Sequence, residues 1–227
     1  MRVVAFVLAR SGSKRIKQKN IYTFFNKPML AYPIETAIQS ALFENVYIST
    51  DSLEFALIAQ SYGASFLKLR PKSLANDTAT TLEVLAYHTQ ELNLKDDDIV
   101  CCLYGTSILL QTNHLKQAFE MLMQDNSKNY VFACTPFSTS PLRSFNLELK
   151  MPFKKYLNTR SQDLPKLYYD AGLFYMGRAY AFKKQYPIFD KQSGVLVLSP
   201  LEVQDIDTLE DLELAKLKYE RLLKACK

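Results

Sequence analysis

The chain has 227 residues, of which 48% are hydrophobic and 22% charged, and carries a net charge of +5. This length buries a core of ordinary domain size, the charge balance excludes bulk disorder, and no run approaches the roughly 18 apolar residues of a membrane-spanning helix. The positive excess suits an anionic ligand without identifying it, so nucleic acid, nucleotide and acidic sugar all stay open at this point.

In chain order, Val3–Leu8 is predicted as a fully buried strand. Its apolar run stops at Ala9 with no small-residue cleavage pattern behind it, unlike a secretory leader. A helix over Met29–Leu42, introduced by Pro28, and a strand over Val46–Ser49 follow. Asp51 is positioned to cap a helix over Ser52–Ser61 that stops at Gly63, or to reach toward a ligand. Ala64–Leu69 then reads as a strand, Thr80–Leu92 as a helix, Ile99–Leu103 as a strand, Thr112–Gln124 as a helix and Tyr130–Cys134 as a strand.

This alternation predicts an α/β fold: a mostly parallel, doubly covered sheet whose ligand crevice lies beyond the C-terminal strand ends, at the loops after Leu8, Ser49, Leu69 and Leu103. The pattern breaks near Phe137, and residues 137–187 are predicted as an inserted β-rich subdomain between two parts, 1–136 and 188–227, of the catalytic domain. Val195–Leu198 and Glu202–Ile206 return to strand character, and an amphipathic helix, Leu209–Leu223, closes the chain. Cys101, Cys102, Cys134 and Cys226 form no C-x-x-C pair and there are only two His, which argues against zinc. The thiols are read as core residues of a reducing cytosol, and His88 and His114 as structural.

The first crevice loop, Arg10 to Asn20, reads RSGSKRIKQKN. Small residues let backbone N–H groups approach phosphate oxygens, and cations neutralise the charge. It is neither G-x-x-x-x-G-K-[ST] nor G-x-G-x-x-G. The stretch resembles the N-terminal signature of the CMP-acylneuraminate synthetase family, enzymes that activate sialic-acid-like sugars, and the resemblance extends over nearly the whole chain. It implies a Rossmann-like nucleotidyltransferase sheet with a small dimerisation subdomain. It also implies that Arg10, Ser11, Gly12, Lys19 and Asn20 bind the phosphates and ribose of CTP.

Further blocks carry the resemblance. Arg70-Pro-Lys-Ser-Leu-Ala-Asn-Asp-Thr-Ala-Thr-Thr81 is similar to the family's cytosine loop, which implies nucleotide contacts at Arg70, Ala79 and Thr81. Leu103-Tyr-Gly-Thr-Ser-Ile-Leu109 keeps Thr106 and Ser107 of a sugar-side block, loses both its prolines, and places Tyr104 where sialic acid synthetases carry Gln. A changed polar group there argues for a sugar other than N-acetylneuraminate. Arg160-Ser-Gln-Asp-Leu-Pro165, with Asp170-Ala-Gly-Leu-Phe-Tyr175 beyond it, resembles the family's sugar block, with Asn-Gly shifted to Asp170-Ala-Gly172. Arg160 and Gln162 suit a carboxylate and hydroxyls. In the family this segment dimerises and lends residues to the partner's site.

In Gln204-Asp-Ile-Asp-Thr208, an extended backbone puts Asp205 and Asp207 on one side. With phosphate oxygens, two carboxylates make an ordinary Mg²⁺ site. Asp207 with Glu210 also reads as a capping box, but the resemblance assigns the Asp pair to metal. The implied protein is a cytoplasmic homodimeric cytidylyltransferase that takes CTP and an acidic nine-carbon sugar, with no nucleic-acid or membrane partner. It looks most similar to the enzymes for pseudaminic acid, with legionaminic and N-acetylneuraminic acids as alternatives. Alternatives of another class are a nucleic-acid-binding module using the basic loop and a non-catalytic nucleotide sensor.

Overall fold

The computed structural model describes residues 1–225; Cys226 lies outside them. β1 (Val3–Leu8) forms as its apolar run requires. Its alternate residues serve two cores, Ala5 and Val7 one and Val4 and Phe6 the other, so both faces of the strand are covered. A small hairpin, β2 (Thr23–Phe24) and β3 (Lys27–Pro28), leads into α1 (Ala31–Ser40). There follow β4 (Asn45–Ser49), α2 (Leu53–Ser61), β5 (Ser65–Phe66), α3 (Thr81–Glu91), β6 (Ile99–Tyr104), α4 (Thr112–Gln124) and β7 (Tyr130–Pro136). β8 (Tyr168–Arg178), α5 (Ala179–Lys183), β9 (Ser193–Val197) and α6 (Leu209–Ala225) complete the chain.

Seven strands form one sheet in the order β5-β4-β1-β6-β8-β7-β9, parallel except for β8, which runs antiparallel to both neighbours. The chain winds outward from β1 through β4 to β5, then returns to place β6 on the other side of β1. The switch point between β1 and β6 is where such sheets leave a crevice. One core packs α1, α2 and α4 against the sheet, and the other packs α3 and α5 against the opposite face.

The structure differs from the sequence reading in four places. Asp51 does not cap α2; the Ser52 hydroxyl accepts the Phe55 N–H instead. β5 is two residues long: Ser65 and Phe66 pair with Tyr47 and Ile48, and the chain then leaves the edge. Glu202–Ile206 is not a strand but part of the loop between β9 and α6. Within 137–187, the part up to residue 167 is held by isolated 3₁₀ turns at Pro141–Arg143, Lys154–Tyr156 and Ser161–Asp163. The strand that follows, β8, belongs to the main sheet, because Leu173–Met176 is an apolar run buried on both faces.

A third, smaller core ties the site together. Ile16 of the basic loop and Ile206 of the β9–α6 loop are buried with Phe24, Met29 and Leu212 of α6. The loop that carries the cations and the loop that carries the Asp pair therefore share one apolar anchor.

Candidate active site at the sheet switch point

A cleft of about 480 Å³ opens over the ends of β1 and β6. Of the residues expected from the sequence, Arg10, Lys19, Asn20, Arg70, Ala79, Thr81, Tyr104 and Thr106 line it. Lys14 and Arg15 join them.

The basic loop is held by three carboxylates from distant parts of the chain. Ser11 donates its N–H and its hydroxyl to Asp51, at 2.7 and 2.8 Å. Arg10 Nη1 and Lys14 Nζ donate to the two oxygens of Asp77, both at 2.6 Å. These bonds, Lys14's first and Arg10's next, hold the Asp77 carboxyl down to about 2. Lys19 Nζ donates to the Ile206 carbonyl and, at 3.1 Å, to Asp207, which Arg15 also reaches at 2.8 Å. Asn20, almost fully buried, closes the loop by donating to the Arg10 carbonyl at 2.9 Å. It fits because residue 105 is glycine: a Cβ there would stand 2.5 Å from Asn20 Oδ1. A Cβ at Gly12, in contrast, would meet nothing within 4 Å, so no protein atom demands glycine at that position.

Asp205 and Asp207 flank the buried Ile206, and burial of that side chain, rather than strand pairing, directs both carboxylates away from the core. Asp207 does not cap α6. Thr208 and Asp211 form the reciprocal cap, and Asp211 also accepts the Asp207 N–H, which leaves the Asp207 side chain to the cations. Asp205 is exposed as a residue, yet a Cβ on Gly172 of β8 would lie 3.9 Å from its Cγ. Desolvation by this surrounding protein, and next the charge of Asp207, push the Asp205 carboxyl above its ordinary range, against the opposing pull of Lys19. Two hard oxygen donors that repel one another are the kind of pair that would hold a divalent cation such as Mg²⁺ and relieve that repulsion. Among the described residues no group of three or more His, Cys, Asp or Glu could hold a metal.

On the wall formed by the loop after Arg70, an Asx turn at Asn76 sets the loop, its Oδ1 accepting from the N–H groups of Thr78 and Ala79. Thr80 with Glu83 then forms the capping box that starts α3. Thr81 Oγ1 and Tyr104 OH lie 3.0 Å apart, and burial raises the Tyr104 phenol. Ser107 faces away, donating to the Leu173 carbonyl of β8 at 2.8 Å. Arg160 and Gln162 do not join the cleft; both are exposed in the 137–167 segment. That segment lines a second cavity of about 550 Å³, with Ser161, Arg143 and Lys166 on its wall.

The sequence reading missed Asp77, which stands in the cytosine-loop block itself, and the contact of Asp51 with Ser11. No signal in the residue spacing joins positions 67 or 40 residues apart.

A family model described as "Cytidylyltransferase" matches residues 4–224. A Helicobacter pylori protein, "Pseudaminic acid cytidylyltransferase and UDP-2,4-diacetamido-2,4,6-trideoxy-beta-L-altropyranose hydrolase", is 65% identical over 208 residues; the match covers 91% of this chain and 40% of that protein's length. The "Pseudaminic acid cytidylyltransferase" of Campylobacter jejuni is 41% identical over 225 residues, covering 96% of this chain and 97% of the relative. Among solved structures, the CMP:2-keto-3-deoxy-manno-octonic acid synthetase complexed with CTP is alike in fold, with a TM-score of 0.74 over 97% of this chain and 99% of its own at 16% identity.

Proposed function

We propose that this chain, which belongs to the cytidylyltransferase family, transfers CMP from CTP to the anomeric hydroxyl of a nonulosonic acid, pseudaminic acid, and releases pyrophosphate. Two relatives, one of nearly equal length, carry that activity in their names. The observation that carries the reading is the convergence, over one buried pair of isoleucines, of the five-cation loop with the Asp205/Asp207 loop.

The chemistry follows from what each group can do. Arg10, Lys14, Arg15 and Lys19 receive the triphosphate; the Ser11 N–H is already held by Asp51, and the open approach for phosphate oxygens is at Gly12, where no protein atom lies within 4 Å of a Cβ position. Docking exchanges carboxylate partners for phosphate partners, so the cations are arranged before the nucleotide arrives. Arg70, Ala79 and Thr81 form the nucleotide wall, and Tyr104 and Thr106 the sugar side. Asp205 and Asp207 would hold Mg²⁺, which, when bound, supplies charge neutralisation at the phosphates and acidifies the attacking hydroxyl. Lys19, which in the ligand-free chain bonds the Ile206 carbonyl and Asp207, joins the phosphate loop to the metal loop and can keep its carbonyl bond when it turns from Asp207 to phosphate. Among the described residues no cysteine serves as a nucleophile: Cys101, Cys102 and Cys134 are buried, with raised thiol pKa values.

Among the described residues no helix is long and apolar enough to cross a membrane, and we assign the reaction to the cytoplasm, as a homodimer whose 137–167 segment brings Arg160 and Gln162 to the sugar of the partner's site.

The test is pyrophosphate release from CTP and Mg²⁺ with pseudaminic, legionaminic and N-acetylneuraminic acids offered separately, beside Asp205→Ala. Fast release with pseudaminic acid, lost in the variant, is the expected result. Release with another of the three changes the sugar and keeps the reaction. No release with any, despite CTP binding, overturns the sugar assignment in favour of an eight-carbon acid or a nucleotide sensor.

A further inference from the structure

Arg70 is 8% exposed and lines the cleft, and burial lowers its pKa to about 10, against the opposing pull of Asp51. Its hydrogen bonds go to neutral acceptors. Nε donates to Ser49 Oγ at 2.7 Å, Nη2 to the Ser49 carbonyl at 2.7 Å, and Nη1, more weakly, to the Leu74 carbonyl at 3.4 Å. Three of its five N–H groups are thus used, and the side-chain charge stays available to an anion in the cleft.

Behind Arg70 lies His88 of α3. His88 Nε2 is 2.5 Å from Ser49 Oγ, and the serine and the imidazole are both buried. The direction of the bond follows from where the buried serine proton can go. Ser49 Oγ accepts from Arg70 and has His88 Nε2 as its remaining partner, so an unprotonated Nε2 gives the hydroxyl proton an acceptor, whereas the other tautomer, donating to the second lone pair of Oγ, would bury that proton without one. The ring is held for this task by stacking on Phe6 of β1, with centroids 4.8 Å apart and planes at 16°. Burial and the charge of Arg70 keep the imidazole neutral, with its pKa pushed down to about 3. The Ser49 carbonyl meanwhile accepts the N–H of Ala9 at 2.9 Å, one residue before Arg10. One serine therefore aligns the base-side cation with the start of the phosphate loop.

We propose that Ser49 and His88 are positioning residues for the nucleotide: the directed chain His88, Ser49, Arg70 fixes the guanidinium in the orientation that CTP meets. This rests on the reading of the cleft as a CTP site.

The test is CTP binding by titration calorimetry without sugar, with thermal melts to confirm folding. Ser49→Ala is expected to weaken CTP about tenfold while changing kcat about twofold or less. In an Arg70→Met background the same substitution should add nothing, because it acts only through Arg70. His88→Gln, whose amide oxygen can accept the serine proton, should bind CTP better than His88→Leu. Equal binding by Ser49→Ala and the wild type overturns the proposal, as does an undiminished loss in the Arg70→Met background or a glutamine that behaves like leucine. If His88→Leu does not fold, the serine pair of variants still decides. A wild type that fails to bind CTP overturns the functional reading itself, whereas a wild type that binds beside an unaffected Ser49→Ala overturns only the positioning role.

Discussion

Around the cleft, carboxylates from three separate loops hold the basic loop: Asp51 on Ser11, Asp77 on Arg10 and Lys14, Asp207 on Arg15 and Lys19. Across residues 137–167 the same chain makes isolated 3₁₀ turns and points apolar side chains outward, with Leu147 fully exposed and Leu149 at 73%. Phe137, Phe145, Phe153 and Leu157 of the same segment are exposed as well. The nucleotide half is thus assembled from within one chain, its cations fixed by internal counter-charges. The 137–167 segment leaves its apolar side chains exposed, and Arg160 and Gln162, the proposed sugar ligands, lie away from the cleft. If the proposed dimer covers that segment, preorganised charge and borrowed burial are two different ways to position a substrate, and they fail differently.

That contrast can be broken at its strongest point first. Asp205→Ala should lower kcat about a thousandfold, while melting temperature and CTP binding without metal stay near those of the wild type, as the proposed metal-holding role of this exposed carboxylate requires. On the other side, Arg160→Ala should raise the sugar KM about 10- to 100-fold and leave the CTP KM unchanged. Steady-state kinetics with each substrate varied in turn reads this directly, and an equal effect on both substrates would erase the division into halves. Leu147→Glu together with Leu149→Glu should convert the proposed dimer to a monomer on a sizing column with light scattering, with loss of sugar turnover and retention of CTP binding. Gly12→Ala should weaken CTP about fivefold without a shift in melting temperature, since the added methyl meets no protein atom and only a bound phosphate would feel it.

The smallest effect concerns pH. Asp77 titrates near 2 in the folded chain against an ordinary 3.8. A depressed acid contributes its stability in full above about pH 4 and loses it as pH falls toward 2. Asp77→Asn should remove that slope in acid melts, weakly and only at low salt, because the carboxylate is half exposed.

The parallel strands were legible because strands covered on both faces read as continuous apolar runs, as in Val3–Leu8 and Ile99–Tyr104. β8 was hidden by its start, Tyr168-Tyr-Asp-Ala-Gly172, where exposed rings and a glycine at positive φ mask a strand that turns apolar only from Leu173. Glu202–Ile206 misled in the opposite sense, since alternation around one buried isoleucine needs no ladder. The site's residue types were legible from the basic loop and the Asp pair. Their partners were not: Asp77 and Asp51 reach the loop only after the sheet has brought distant strand ends together.

The antiparallel course of β8 has a consequence for how the chain is made. β6 is finished at Tyr104, yet its second neighbour arrives only when Ile99 can pair with Arg178 and Leu103 with Phe174. A growing chain therefore carries β1, β4, β5 and β6 as a half-sheet with one bare, apolar edge throughout the synthesis of everything between. Such an edge invites pairing with a neighbouring nascent chain. The seam that closes the middle of the sheet is a long-range contact formed late, and folding should be slow in proportion.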